Sequence, residues 1–234
     1  MRRNLYTTLL VLCLGSLFAQ DESPYIEKDF VDTRDINFKE SLLFIRGVAI
    51  VPNVIANPGF RHTFKGIYEA NLSLNLRVGK GLALGVGMKN TLISTRERIQ
   101  DLDTRMQLYT AYIRFAYSRY HTERTFSTFG VNAGYNNSFY TGLKPIHSPV
   151  ISSEYASMVF EPEYSINFVV QEHFTVGIFV SYSFYATPFE AVSIGMQDYS
   201  AQSSDGNTKA NGMLNVGFCF NIGMGKEFKP DFKD

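Results

Sequence analysis

The chain has 234 residues, 22 basic and 22 acidic side chains, 19% charged residues and 15% aromatic residues. This length suits one domain with tails, and so low a charge beside so many rings excludes wholesale disorder. The balanced charge lacks the electrostatic footprint of a nucleic-acid binder, and the mean hydropathy is too low for a bundle of membrane helices.

Residues 1–19 read as a secretory signal peptide. Arg2 and Arg3 form a positive n-region, Leu5 to Phe18 an apolar h-region, and Ala19 the small residue before a cleavage. The ending Phe18-Ala19-Gln20 resembles signal peptides common in the Bacteroidetes. Leu12 is too bulky to precede a lipidated Cys13. Cleavage leaves 20 basic against 22 acidic residues, a net charge of −2, with Cys219 as the remaining cysteine, so no internal disulfide is expected. Residues 20–40 form an acidic segment: Asp21, Glu22, Glu27, Asp29, Asp32, Asp35 and Glu40 face only Lys28, Arg34 and Lys39. Its apolar residues lack sustained alternation. It reads as a flexible periplasmic tail, with a partner-docking segment or a plug as the alternatives.

From Leu42 onward the chain alternates apolar and polar residues with a period of two, the mark of half-buried strands. The first segment, Leu42 to Val51, is ambiguous in phase. From Gly66 to Val78, Tyr68, Ala70, Leu72, Leu74, Leu76 and Val78 face one way and Glu69, Asn71, Ser73, Asn75 and Arg77 the other. The same pattern runs through Leu82 to Lys89, Tyr109 to Ser118, Phe129 to Asn136, Phe160 to Phe168, Phe174 to Phe184 and Leu214 to Ile222, which makes eight strands. Their connections alternate in length. Gly79 to Gly81, His121 to Arg124 and Gln171 to His173 are short; Pro52 to Lys65, Ser94 to Thr104, Thr141 to Ser153 and Ala186 to Asn211 are long. An all-β, antiparallel up-and-down barrel is expected, with short turns at one end and long loops at the other.

The polar face decides what surrounds this barrel. A soluble lipocalin-like carrier would turn a face rich in Lys and Glu to water, whereas this face is mostly Gly, Asn, Ser and Thr, which suit a narrow lumen. Tyr68, Tyr109, Tyr117, Tyr135, Phe168, Phe174 and Phe184 lie near strand ends, as an interfacial girdle requires. Over residues 41–224 the chain resembles the small eight-stranded transmembrane barrels of the OmpA/OmpX type. The resemblance is architectural, with no residue signature to carry over. It implies an outer-membrane location among lipid and lipopolysaccharide. Two departures stand out: the chain runs on through residues 225–234, with Phe228 in the outward phase of Phe218, Phe220 and Ile222, and Pro162 sits on the lipid face, where a bulge or local break is expected.

The lumenal face carries Glu69, Glu161 and Glu163 with Arg77, Lys89 and Arg114, joined by Arg46 if the first strand is phased by its charge. These charges must pair or meet water. A structural network filling the barrel is expected; an ion path or a catalytic carboxylate is the alternative. Eight strands leave room for side chains or one small ligand, so general porin activity is not expected. Some small outer-membrane barrels are lipid A deacylases or acyltransferases, which need a nucleophile beside a base. Here His62, His121, His147 and His173 all fall in loops or turns; His147-Ser148 is an adjacent loop pair, and Glu154 would be a third member only by chance of folding. No catalysis, cofactor or metal site is expected. The reading is a structural, adaptor or loop-binding barrel, whose protein partner would meet the long loops or the acidic segment. No following periplasmic domain is expected.

Overall fold

The computed structural model describes residues 41–56, 58–96, 105–141, 154–186 and 211–227. The signal peptide, the acidic segment, most of the second, third and fourth long connections, and residues 228–234 lie outside the described residues.

Strands with one apolar and one small polar face, joined by tight turns, pair with their sequence neighbours. The elements are β1 (Ser41–Val54), a short helix α1 (Pro58–Thr63), β2 (Phe64–Gly79), β3 (Leu82–Thr95), β4 (Arg105–Thr122), β5 (Thr125–Thr141), β6 (Glu154–Gln171), β7 (Phe174–Tyr185) and β8 (Asn211–Glu227). Each strand is antiparallel to the next, and β8 returns to β1, so the barrel is closed. Three turns of two residues, Lys80-Gly81, Glu123-Arg124 and Glu172-His173, form one end. Gly81 has φ of 72°, the left-handed backbone that such hairpin turns require. The strands run 12 to 18 residues, more than the roughly 9–11 that cross hydrocarbon, so they project beyond it. The connection read as Pro52 to Lys65 is shorter than that: β1 continues to Val54 and α1 leads directly into β2.

The apolar face is the outside. Leu72, Leu74 and Leu76 of β2, Phe115 of β4 and Ile178 of β7 are all exposed, and Met88 and Phe218 reach 69% and 70%. Water does not tolerate so continuous an apolar band, whereas hydrocarbon does. The phase of β1 is set by Arg46, Val48 and Ile50 pointing in, with Leu42 and Val51 pointing out. Its ambiguity in the sequence arises because Val48 and Ile50 are apolar yet inward, packed on Phe179 and Cys219.

The lumen departs from the small polar interior expected of it. A bulge between Gly66 and Tyr68 leaves Ile67 and Tyr68 both outward and turns Phe64 into the barrel. Phe64 packs there with Phe60 of α1, Val54, Ile93, Leu108, Tyr140, Tyr185 and Met213. This apolar cluster seals the lumen at the long-loop end.

Pro162 produces the local break, without a bulge. It pairs with Val131 of β5, but on the β7 side the ladder stops at Phe160↔Phe184 and resumes at Glu163↔Ser181 in the same register. The missing N–H removes a hydrogen bond from the β6–β7 ladder at membrane depth. Pro162→Val restores that donor, a gain of about 0.5–1.5 kcal/mol partly offset by the freer unfolded chain. Thermal unfolding in detergent micelles should therefore move upward by a few degrees.

Candidate functional site

Inward side chains from facing strands meet across a barrel this narrow, so charged residues far apart in sequence become neighbours. All seven of Arg46, Glu69, Arg77, Lys89, Arg114, Glu161 and Glu163 are buried in the lumen. They divide into two groups.

The group nearer the long-loop end is built on Lys89. Its ammonium bridges Glu161 and donates to Ser183 Oγ at 3.0 Å, with Glu69 at 3.7 Å. Ser183 donates to Glu161 at 2.7 Å and Thr91 to Glu69 at 2.6 Å. The ring of Tyr185 stands 5.5 Å from the ammonium and links this group to the apolar seal. Oε1 of each carboxylate makes no hydrogen bond with the described residues.

Toward the short-turn end the centre is Glu163. Arg114 binds it through Nε at 3.0 Å and Nη2 at 2.6 Å, Arg46 at 3.2 Å, and Asn132 at 2.9 Å. Arg114 also donates to Asn75 at 2.9 Å. Arg46 stacks on Phe179 at 5.0 Å and Arg77 on Phe44 at 5.5 Å. Space for Glu163 depends on Gly130, where a Cβ would stand 2.7 Å from the carboxylate. Between the groups Tyr112 hydrogen-bonds Asn71.

The histidines are placed differently from the sequence reading. His62 lies in α1, and His121 is in β4 rather than a turn. Its Nε2 meets Ser127 Oγ of β5 at 2.9 Å on the outer rim of the short-turn end. His173, in a turn, meets Ser41 Oγ at 3.1 Å. Neither serine–histidine pair is legible in the sequence, because antiparallel register brings each together. His147 and Ser148 lie outside the described residues, and the side chain of Glu154 is not described. Among the described residues no three His, Cys, Asp or Glu side chains converge on a point that would hold a metal ion.

No protein-family model matches the sequence. No curated protein matches it. Solved structures of other barrels are similar to it at low sequence identity. Neisserial surface protein A superposes with a TM-score of 0.52 at 10% identity, over 79% of this chain and 98% of that one. The outer membrane protein OprG from Pseudomonas aeruginosa gives 0.47 at 12% identity, over 81% and 100%. Ail, the attachment invasion locus protein of Yersinia pestis, gives 0.44 at 11% identity, over 78% and 99%. The first of these shows the fold: this chain is an eight-stranded barrel of the small outer-membrane type.

The pairing around Glu163 has a thermodynamic consequence. Glu163→Leu strands two buried guanidiniums, at a cost of about 3–5 kcal/mol in a dry site and less where water enters. The unfolding temperature in micelles should fall by several degrees, while Glu123→Gln in an exposed turn leaves it unchanged. Equal behaviour of the two variants would place Glu163 outside the network.

Proposed function

We propose that the chain is an integral outer-membrane barrel, exported by a signal peptide cleaved after Ala19, with a scaffold or binding role exerted through its long connections and no catalysis. The observation that carries this is a closed barrel with an apolar exterior around a lumen filled by ion pairs and sealed by the Phe60–Phe64 cluster. Such a lumen supports neither a general pore nor a carrier cavity. A rigid scaffold that holds long connections at one end is a common place for binding. The connection between β7 and β8, residues 186–210, has 25 residues, far beyond the 2–5 that a hairpin needs.

A second reading, lipid modification, draws on one observation, the Ser127–His121 pair facing outward on β4 and β5. It lies at the short-turn end, which in barrels of this type is periplasmic. Its substrate would then be a phospholipid of the inner leaflet, and lipid A would be out of reach. Among the described residues no carboxylate orients His121, so the pair is an incomplete nucleophile–base arrangement.

The mature chain should fractionate with the outer membrane and migrate faster on gels before boiling than after. Recovery as a soluble periplasmic protein would refute the membrane placement. Replacing residues 197–209 by a short Gly-Ser link should leave the barrel folded, since halving a flexible loop changes stability by only about 0.6 kcal/mol. A co-purifying partner should be lost with it; a retained partner points to the acidic segment. Phospholipid and lipid A profiles should be unaltered by Ser127→Ala. A phospholipid profile changed by that single substitution would replace the scaffold reading by the enzymatic one.

A further inference from the structure

The lipid-facing strip of β4 gives way to a charge near the short-turn end. Ile113, Phe115 and Tyr117 point outward, and the next residue in that phase is Arg119, also exposed. On β5 the outward series from the turn is Ser127 and then Phe129, since Phe126 and Thr128 are buried. The register sets Tyr117 opposite Phe129 and Arg119 opposite Ser127. It then shifts between Tyr120 and Thr122, and this bulge brings His121 to Ser127, with Nε2 2.9 Å from Oγ. An arginine, a serine and a histidine thus share one outer corner beside the Glu123-Arg124 turn.

Two residues of strand rise about 7 Å, or about 5 Å along the membrane normal at the usual tilt. Aromatic rings such as Tyr117 and Phe129 mark the edge of the hydrocarbon, so the corner beyond them stands at the depth of the phospholipid phosphates. The side chain of Arg119 has no ion pair or hydrogen bond among the described residues, and Glu123 of the turn does not pair with it. The serine–histidine pair keeps a donor to spare in either tautomer. If Ser127 donates to Nε2, Nδ1 carries a proton; if Nε2 donates, the hydroxyl proton is free. A guanidinium without a counter-ion, beside a neutral donor, matches a phosphodiester in charge and in the spacing of its oxygens. We propose that Arg119, Ser127 and His121 form a binding site for the phosphodiester of a phospholipid in the leaflet at the short-turn end, its acyl chains lying along Tyr117 and Phe129. This site rests on the membrane placement argued above. It concerns binding alone and does not require Ser127 to react.

The test uses the mature full chain folded in nonionic detergent micelles, with bound lipid counted by native mass spectrometry. Dioleoylphosphatidylglycerol is titrated against dioleoylglycerol, which has the same chains and no phosphate. One phosphatidylglycerol should be retained at concentrations where the diacylglycerol is not. Arg119→Gln should weaken that retention by about tenfold or more, the loss expected for a charge-assisted hydrogen bond. Replacing both Ser127 and His121 by Ala should weaken it several-fold. Arg105→Gln removes an exposed arginine at the opposite end of β4 and should leave retention unchanged. The shift in gel mobility on boiling shows that each variant is folded, which separates a failed site from a failed membrane placement. Inorganic phosphate at the lipid's concentration should not compete; competition would make this a free-phosphate site and overturn the lipid assignment. Equal retention of the two lipids, or equal effects of Arg119→Gln and Arg105→Gln, would overturn the proposal and leave only boundary lipid.

Discussion

The β1–β8 pairing is the contact on which the rest of this structure depends. It runs from Ser41 against Glu227 to Val54 against Met213, almost the full length of both strands. Hydrocarbon offers no partner to a free N–H or carbonyl, so an open eight-stranded sheet with this exterior would expose two rows of costly polar groups. Closure removes both edges together. It also fixes a narrow interior in which side chains from opposite walls touch, and the ion pairs follow from that geometry. Gly47 shows how tightly the seam is made: the ring of Phe220 lies against its α-carbon, so any side chain there would displace the ring.

The interior obeys a second constraint, the volume available to its charges. Gly130 leaves space for Glu163, and Gly87 performs the same service for the Tyr112 hydroxyl. Long side chains therefore reach across the lumen where small residues face them. Each ion pair is fixed by several hydrogen bonds, so removing one member strands the others. A buried network of this kind adds less to stability than its list of contacts suggests, since desolvation opposes the attraction. Its clearer effect is to fill the described lumen with groups that have one good arrangement.

Much of this architecture was legible in the sequence because a membrane barrel imposes one simple code, apolar out and small polar in, on every strand. Leu72, Leu74 and Leu76 against Ser73 and Asn75 state it without ambiguity. The turns Lys80-Gly81 and Glu172-His173 fix which strands are neighbours. What escaped the code were places where its period shifts or its meaning reverses. The bulge at Ile67 changes the phase within β2, so Phe64 falls on the inner face against the expectation from Tyr68. Phe179, Val48 and Ile50 are apolar and inward, and no local pattern distinguishes them from lipid-facing neighbours. Ser41 with His173 and His121 with Ser127 depend on register and turn geometry, which a single sequence leaves undetermined. The charged residues themselves were visible, but their division into two groups, one around Lys89 and one around Glu163, required the strand stagger.

That division gives the barrel a direction. At the long-loop end, Phe60, Phe64, Tyr140 and Tyr185 replace water with hydrocarbon, and the neighbouring carboxylates draw on Lys89, Thr91 and Ser183, while one oxygen of each makes no hydrogen bond among the described residues. At the other end, guanidiniums surround a small cavity. The described lumen is therefore polar toward its short-turn end and closed by apolar side chains toward the other.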